Sequence, residues 1–217
     1  MPKIVDHEER RNEIALAACR VVAQHGFEQA TVARIARAAG YTTGMVAHYY
    51  DSKQEIILAA LRLMLERIKE RLTRELDAAG TDLADVLCEA LPVDAQRFTE
   101  CEFWMAFWGQ VSADRKLRRL NIWVHREYMR LFTRCFSVHW REWSRWSPVA
   151  RDRVLRSVVT CMNGLTASAV TSPRDWPAAR QREQLELQLE LLRRWANGRR
   201  AAARAVDGGT GKRVKLF

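Results

Sequence analysis

Apolar residues recur at the spacing of an α-helix along almost the whole 217-residue sequence, and no stretch sustains the strict alternation of a β-strand. A strand that buries one face needs that alternation, whereas a helix buries a stripe of residues three and four positions apart. The periodicity therefore predicts an all-α protein of about nine helices, three short ones near the start followed by about six longer ones.

Residues that start and stop helices divide this pattern. Gly26 ends the first helix, Thr31 is a candidate N-cap for a second over residues 32–39, and Gly40 lies in the break that follows. A third helix fits Thr43–Tyr49, and Ser52–Glu55 is typical of a capping box that opens a long helix over 53–78. Further helices are predicted at 82–91, 97–111, 115–140, 148–171 and 178–196.

The composition changes along the chain and indicates two modules. All eight Trp residues lie at or after position 104, whereas the first 50 residues have none. We predict a DNA-binding domain over 1–52 and a helical effector-binding and dimerisation domain over 53–197. Residues 198–217, rich in Arg and Ala and then in Gly, are predicted to form a basic flexible tail.

The charge of the chain favours an acidic partner, either nucleic acid or an anionic membrane surface. Lys and Arg outnumber Asp and Glu by 36 to 26, a net charge of +10. Residues 193–217 account for +7 of this, which leaves +3 for residues 1–192. The total charge therefore does not identify the function by itself.

Targeting signals and metal-binding patterns are missing from the sequence. No apolar signal-peptide segment follows the first residues, and the longest weakly polar run, Val158–Val170, is too short for a bilayer core of about 30 Å. The five Cys residues are widely spaced and lack a C-x-x-C pair, which argues against a disulfide framework and the usual zinc sites. We expect a soluble cytoplasmic protein with no membrane partner, no metal and no cofactor.

A short helix, a Gly-containing turn and another short helix form the pattern of a helix-turn-helix motif. The segment after the turn, Thr42–Tyr50, would expose small hydroxyls, a Gly, a His and a Tyr, which fit the DNA major groove. Lys53, at the start of the next helix, reaches a phosphate. Residues 1–53 carry a net charge of only +1, so a helical hairpin that merely packs is the alternative that the pattern leaves open.

The spacing of individual residues over positions 10–60 is more specific. Gly26-Phe27 ends the first helix, Thr31 opens the second, and Ala39-Gly40 forms the turn. A Thr-rich segment then leads to the aromatic pair Tyr49-Tyr50 and, three residues further on, to Lys53. In all of these positions the chain resembles the DNA-binding domain of the TetR family of bacterial repressors, although Phe is commoner than Tyr at position 50.

That resemblance implies a transcriptional repressor that binds a near-palindromic double-stranded DNA operator as a homodimer. Position by position, it implies DNA contacts from Thr31, Thr42, Thr43, Gly44, His48, Tyr49 and Lys53. Arg34, on the predicted outer side of the second helix, is added as a phosphate contact.

In this family the last two long helices pair across the dimer axis, which here implies residues 148–171 and 178–196. The apolar positions of these helices are interpreted as interface or core residues. They are Val154, Val158, Cys161, Met162, Leu165, Leu185, Leu189 and Leu192.

Two short motifs resemble a choline-responsive group within the family, the repressors of glycine betaine synthesis. Ala106-Phe107-Trp108 matches the core of one helix, and Asn163-Gly164-Leu165 corresponds to an Asp-Gly-Leu in a later one. The resemblance implies a small-molecule effector that releases the repressor from DNA. Because Asn163 replaces the Asp, a counter-charge for a cationic ligand is missing.

The aromatic residues of the second module give a parallel indication from physics. Aromatic faces hold quaternary ammonium groups by cation–π attraction. The residues that would converge on such an effector are Trp104, Phe107, Trp108, Trp123 and Tyr128, with Asn163 beside them. The alternative is that aromatics at helical spacing form the core, and Trp140, Trp143 and Trp146 either close the far end of the domain or present a partner surface.

Two other classes of function are less well supported. No Ser-His-Asp order, H-E-x-x-H motif or cysteine-nucleophile signature occurs, so an enzyme is not expected. The segment Gly208–Arg213 lacks both the first Gly and the Ser/Thr that a phosphate-binding loop requires. The alternative to an effector-controlled repressor is a helical interaction module, or a DNA-binding protein without a small-molecule effector.

Overall fold

The computed structural model describes residues 7–78, 80–112 and 114–209, with side chains described as far as Arg199. Over these residues the chain is all-α, with nine helices, one 3₁₀ turn and no strand, which confirms the predicted fold class. The elements are α1 His7–Gln29, α2 Val32–Ala39, α3 Thr43–Tyr49, α4 Lys53–Asp77, α5 Leu83–Cys88, α6 Ala95–Val111, α7 Arg115–His139, the 3₁₀ turn Trp143–Arg145, α8 Pro148–Thr171 and α9 Ala178–Gly209. No helix in this described part is long and apolar enough to cross a membrane.

Local capping sets the starts of the helices. The side chains of Thr31, Thr42 and Ser52 each accept a hydrogen bond from the backbone N–H three residues on, at 3.1–3.2 Å. The carboxylate of Glu55 accepts from the N–H of Asp51 at 3.0 Å, so the predicted capping box is present with its return bond shifted by one residue.

The turn between α2 and α3 depends on Gly40. Its backbone is left-handed, with φ of 77°, and its N–H donates to the carbonyls of Ala36 and Arg37. A side chain at this position would be strained, because L-residues rarely adopt that conformation. Gly26, also with φ of 77°, interrupts the regular geometry of α1 in the same way.

One apolar core joins the first four helices to α6. It contains Ile14 of α1, Ile35 of α2, Val46 of α3 and Ile57 of α4, all fully or almost fully buried. Phe103 and Phe107 of α6 belong to the same core. The first module therefore does not fold around α1–α4 alone, since a helix of the second module completes its interior.

A second core fills the space between the end of α4 and helices α5, α7, α8 and α9. Trp140, Trp143 and Trp146 are 3–6% exposed and pack here, with the ring of Trp143 stacked 5.0 Å from that of Phe136. They therefore close the far end of the domain and present no exposed aromatic surface. The indole N–H of Trp146 donates to Asn197 at 2.9 Å.

Helix α9 is longer than predicted. It continues to Gly209, whereas the sequence was expected to leave the helix at Asn197. The prediction of a tail starting at 198 is therefore wrong for the described residues up to 209, because Ala and Arg, which dominate this stretch, are strong helix formers. Residues 210–217, the remainder of the predicted tail, lie outside the described part.

Candidate nucleic-acid interface and ligand pocket

The predicted DNA-contact residues lie in α2 and α3, at the caps that precede these helices, and at the start of α4. Five of them are exposed and three are half-buried. The exposed ones are Thr31, Thr42, Thr43, Gly44 and His48, and the half-buried ones are Arg34, Tyr49 and Lys53. A Cβ added at Gly44 would meet the hydroxyl oxygen of Thr42 at 4.0 Å, an ordinary van der Waals contact.

Lys53 is held at the end of α1. Its Nζ donates to the carbonyl oxygen of Phe27 at 2.7 Å and lies 5.0 Å from the centre of the Phe27 ring. Arg34 is similarly positioned by a 3.1 Å hydrogen bond to Gln29. The cationic ends of both side chains are therefore positioned by neighbouring groups of the chain.

Helix α1 contacts the end of α3 through polar groups. The hydroxyl of Tyr50 donates to the carbonyl of Arg11 at 3.0 Å, and the Arg11 guanidinium lies 4.3 Å from the Tyr50 ring and donates to the carbonyl of Tyr49. Burial raises the pKa of Tyr50. These bonds give Tyr50 a polar partner that Phe at this position would lack.

His7 is a residue of this surface that sequence reasoning missed. Its ring lies 4.6 Å from that of Tyr49 and 6.4 Å from that of His48. These contacts join residues about 40 positions apart, so no local pattern could have shown them. His7 extends the candidate interface from α3 onto the start of α1.

A cavity of about 130 Å³ lies between α6, α7 and α8. Four of the six predicted effector residues line it: Trp104, Trp108, Tyr128 and Asn163. The other lining residues are Ala90, Cys101, Asn121, Val124, His125, Phe132, Val159, Met162 and Thr166. No Asp or Glu borders the cavity.

The polar side chains that line the cavity include two amides, two hydroxyls and the imidazole of His125. The amides of Asn121 and Asn163 and the hydroxyl of Tyr128 make no hydrogen bond to the rest of the described chain. Burial raises the pKa of Tyr128, and it raises the pKa of Cys101 to about 12, so both keep their protons at neutral pH. The indole N–H of Trp104 is also buried without an acceptor in the described part.

The placement of Phe107 and Trp123 corrects two predicted effector contacts. Phe107 is fully buried in the core shared with α1–α4 and does not line the cavity, although its ring lies 5.9 Å from that of the lining residue Trp104. Trp123 is 40% exposed and does not line the cavity. At 100° per residue, it lies about 100° around α7 from Val124 and about 140° from Tyr128, both of which line the cavity.

A buried ion network lies directly behind the cavity. Glu100, next to the cavity residue Cys101, is 4% exposed and pairs with Arg71 of α4 at 2.7 Å. Arg67, one turn earlier on α4, approaches the same carboxylate at 3.5 Å. The helix that lines the cavity is thus tied by charge to the long helix that carries Lys53 at its start.

Two family models match consecutive parts of the chain. Residues 14–60 match the model described as "Bacterial regulatory proteins, tetR family". Residues 79–194 match the model "BetI-type transcriptional repressor, C-terminal".

The chain belongs to the TetR family. Among characterised relatives, the HTH-type transcriptional regulator PksA of Bacillus subtilis (strain 168) is 35% identical over 49% of this chain and 54% of its own length. The regulator BetI of Stenotrophomonas maltophilia is 34% identical over 56% of this chain and 64% of its own. BetI of Escherichia coli (strain UMN026) is 30% identical over 60% and 75%. The chain thus spans between about half and three quarters of the length of these relatives.

Solved structures of other transcriptional regulators share this TetR fold. One from Rhodococcus sp. Rha1 has a TM-score of 0.73 at 22% identity, covering 86% of this chain and 97% of that one. Another, from Saccharomonospora viridis and solved in complex with choline, has a TM-score of 0.70 at 20% identity, covering 84% and 96%. At these identities the likeness concerns the fold alone.

The residues of α8 and α9 that were predicted as interface or core belong to the core of a single chain. Val154, Val158, Met162, Leu165, Leu185 and Leu189 are 0–6% exposed within a single chain, and Leu192 and Cys161 are half-buried. They form the core between α8 and α9, because the stripe that the sequence shows most clearly is the one that packs inside the protomer. The exposed apolar residues of these two helices are instead Val149, Leu187, Leu191 and Trp195.

Proposed function

We propose that this protein is a repressor that binds a near-palindromic operator as a homodimer and is released by a small molecule in the α6–α7–α8 cavity. The observation that carries this proposal is the position of α6. Phe103 and Phe107 on one side of α6 complete the core of the DNA-binding module, while Trp104 and Trp108 line the cavity. A ligand that moves α6 therefore acts on the packing beneath the recognition helix.

In this proposal α3 enters the major groove. Thr43, Gly44 and His48 are the exposed residues of α3 that reach base edges, and the N-cap Thr42 lies beside them. Lys53 and Arg34 contact phosphates, which fixes the register of the helix without reading sequence. Two copies related by a two-fold axis would place two α3 helices on half-sites one helical turn apart.

We propose that the dimer forms through the exposed faces of α8 and α9. Leu187, Leu191 and Trp195 are four residues apart on α9 and are 49%, 53% and 36% exposed. Such a stripe costs free energy in water unless a second surface covers it. This stripe replaces the buried residues that the sequence suggested.

The effector proposed for the cavity is a small quaternary ammonium compound. The faces of Trp104, Trp108 and Tyr128 would hold the cation, and the choline complex of the Saccharomonospora viridis regulator supports this choice. A cavity of about 130 Å³ is close to the engineered cavity of about 150 Å³ that holds one benzene. An acceptor on the ligand would also satisfy the indole N–H of Trp104.

The proposal places the protein in the cytoplasm with the DNA it controls and assigns it no catalytic step. A constitutive DNA-binding protein is the second candidate, since no carboxylate in the cavity balances a cationic ligand.

Footprinting of the purified protein on its own upstream DNA, with and without choline, tests the proposal. We expect a protected near-palindrome whose protection disappears as choline is added. Absence of any protected palindrome at moderate salt would refute the DNA-reading function. Protection that neither choline nor other small ammonium compounds relieve would favour the constitutive binder.

A further inference from the structure

A cluster of cations at the start of α7 has no role in the fold. Helix α7 carries seven Arg and Lys residues and one Glu, a net charge of +6. That exceeds the net charge of +3 for the whole of residues 1–192. Four of the seven cations, Arg115, Lys116, Arg118 and Arg119, fall in the first five positions of α7, and all four are exposed. We call these four residues the α7 basic patch.

Stability of the chain does not account for this patch. Cations in the first turn of a helix face the positive end of the helix dipole, which is mildly unfavourable. In the described part of the chain, Arg115, Lys116 and Arg119 have no acidic partner, and Arg118 donates only to the carbonyl of Ser112, at 2.6 Å. The patch therefore presents uncompensated positive charge to solvent.

The patch lies beside the DNA-binding module. A cleft of about 240 Å³ separates the two modules here, with Phe27 and Lys53 on one wall and Asp114 and Leu117 on the other. Asp114 directly precedes Arg115, so the patch begins across one narrow cleft from the candidate phosphate contact Lys53. Helix α7 then runs away from this point for about 36 Å, given a rise of 1.5 Å per residue.

We propose that the α7 basic patch binds the phosphate backbone of DNA outside the segment read by α3. This inference rests on the proposed function, because α3 must bring the operator to this side of the molecule. The guanidinium groups of Arg115, Arg118 and Arg119 are suited to paired hydrogen bonds with phosphate oxygens. DNA offers a phosphate charge about every 1.7 Å, which matches several cations within one helical turn.

The test compares two duplexes, one trimmed to the footprinted segment and one extended by about 10 bp on each side, about one helical turn. The patch variant R115Q/K116Q/R118Q/R119Q is matched by R130Q/R134Q/R141Q/R145Q, which removes the same charge from exposed positions toward the far end of α7 and beyond. Thermal unfolding first establishes that both variants are folded. Affinity for each duplex is then measured as a function of salt concentration.

On the extended duplex we expect the patch variant to lose about 2 to 4 from the slope of log affinity against log salt, as expected for two to four phosphate contacts per dimer. We expect it to bind at least about tenfold more weakly than the matched variant at moderate salt. On the trimmed duplex the two variants should behave alike.

Equal slopes for the two variants on the extended duplex, or equal losses on both duplexes, would overturn the inference. Unchanged DNA slopes combined with lost binding to phosphatidylserine vesicles would assign the patch to a membrane surface and overturn it as well. If the unmodified protein binds neither duplex, the proposed DNA-reading function itself fails.

Discussion

Asn163 is the residue in the cavity whose chemistry bears most directly on the choice of ligand. It lies on the open side of α8 and supplies a neutral amide where the resembling motif has an Asp. A carboxylate at this position would face the aromatic wall formed by Trp104, Trp108 and Tyr128.

We predict that Asn163→Asp strengthens choline binding about tenfold, because a carboxylate close to the ammonium group adds favourable charge interaction in a partly desolvated site. Isothermal titration calorimetry gives the affinity. The uncharged isostere 3,3-dimethylbutanol is the control, and it should gain nothing from the substitution. An equal gain in affinity for both compounds, or no gain in affinity for either, would contradict a cation-binding cavity.

Glu100 is the buried residue on which the contact between α6 and α4 depends most. Its carboxylate pairs with Arg71 at 2.7 Å and accepts from Gln96 at 3.2 Å. We predict that Glu100→Gln lowers the free energy of unfolding by about 2–4 kcal/mol, because Arg67 and Arg71 lose this buried carboxylate and Arg71 keeps only Glu89, at 3.8 Å. Urea denaturation measures this change.

Glu66→Gln is the matched control for Glu100→Gln. Glu66 pairs with Lys69 on the surface, where both side chains are more than half exposed. The control should therefore change stability by less than about 0.5 kcal/mol. Similar losses of unfolding free energy in the two variants would show that the buried ion pair of Glu100 stabilises the protein no more than the exposed pair of Glu66.

At the level of helices, α9 has two faces with different tasks. Leu185 and Leu189 are buried against the rest of the chain, whereas Leu187 and Leu191 face outward. We predict that the double variant L187D/L191D is monomeric, because charges on this stripe cannot be buried in a dimer interface. Analytical ultracentrifugation measures the mass.

The control for the α9 stripe is Val138→Asp on α7, a position that is 55% exposed and lies outside the proposed interface. It should leave the dimer intact. A double variant that stays dimeric while remaining folded would place the interface on another surface.

Helix α9 is also anchored to α5 by charge. Arg182 pairs with Asp82 at 2.9 Å and with Asp85 at 2.8 Å, and its hydrogen bond lowers the pKa of Asp85. A carboxyl whose pKa is lower in the folded state stabilises the fold above its unfolded pKa, and this stabilisation is lost as the pH falls through the folded value.

We therefore predict that Arg182→Gln lowers the melting temperature by about 2 °C at neutral pH, since this pair is partly exposed. The difference from the unmodified protein should shrink below about pH 4, where the carboxyls take up protons in the unfolded chain and then in the folded one. Scanning fluorimetry across the pH range measures it. Arg174→Gln, an exposed change on the loop before α9, is the control. A difference that persists at low pH would contradict the ion-pair origin.

The elements were more predictable from sequence than the site. Thr31, Thr42 and Ser52 mark helix starts because a cap acts within three residues of its own position. Whether Phe107 and Trp123 point into the protein or toward solvent could not be predicted from their neighbours in the sequence. Both follow from which neighbouring helix packs on each face, and that is settled by contacts between distant parts of the chain.

At the scale of the whole molecule, the excess positive charge comes from two regions, the α7 basic patch and the C-terminal residues 193–217. The α7 basic patch lies beside the DNA-binding module, while Asn197, which contacts Trp146, lies just beyond the other end of α7. The global surplus of +10 therefore says less about function than the position of each cation. The net charge of residues 193–217 pointed to the basic C-terminal region. The net charge of residues 1–192 did not point to the α7 basic patch, because acidic residues elsewhere in that range offset the charge of α7.

We predict that removing residues 200–217 changes operator affinity by less than about threefold, because Asn197, just before them, is held by Trp146 beyond the far end of α7, whereas Lys53 lies near its start. Electrophoretic mobility shift with the footprinted duplex measures this. A similar deletion that also removes Asn197 should lower the melting temperature, since Trp146 loses its hydrogen-bond partner. A large loss of affinity after removal of 200–217 alone would contradict the remote placement.

The shared core of Phe103 and Phe107 with α1–α4 has a consequence for protein engineering. A chimera that joins this DNA reader to the sensor of another regulator at residue 52 would cut through a single hydrophobic interior and leave two cavities where these rings belong. The transplantable unit is α1–α4 together with the face of α6 that carries Phe103 and Phe107 and with Val124 of α7. Grafting Phe103 and Phe107 into the foreign sensor should thus decide whether such a hybrid regulator folds and responds.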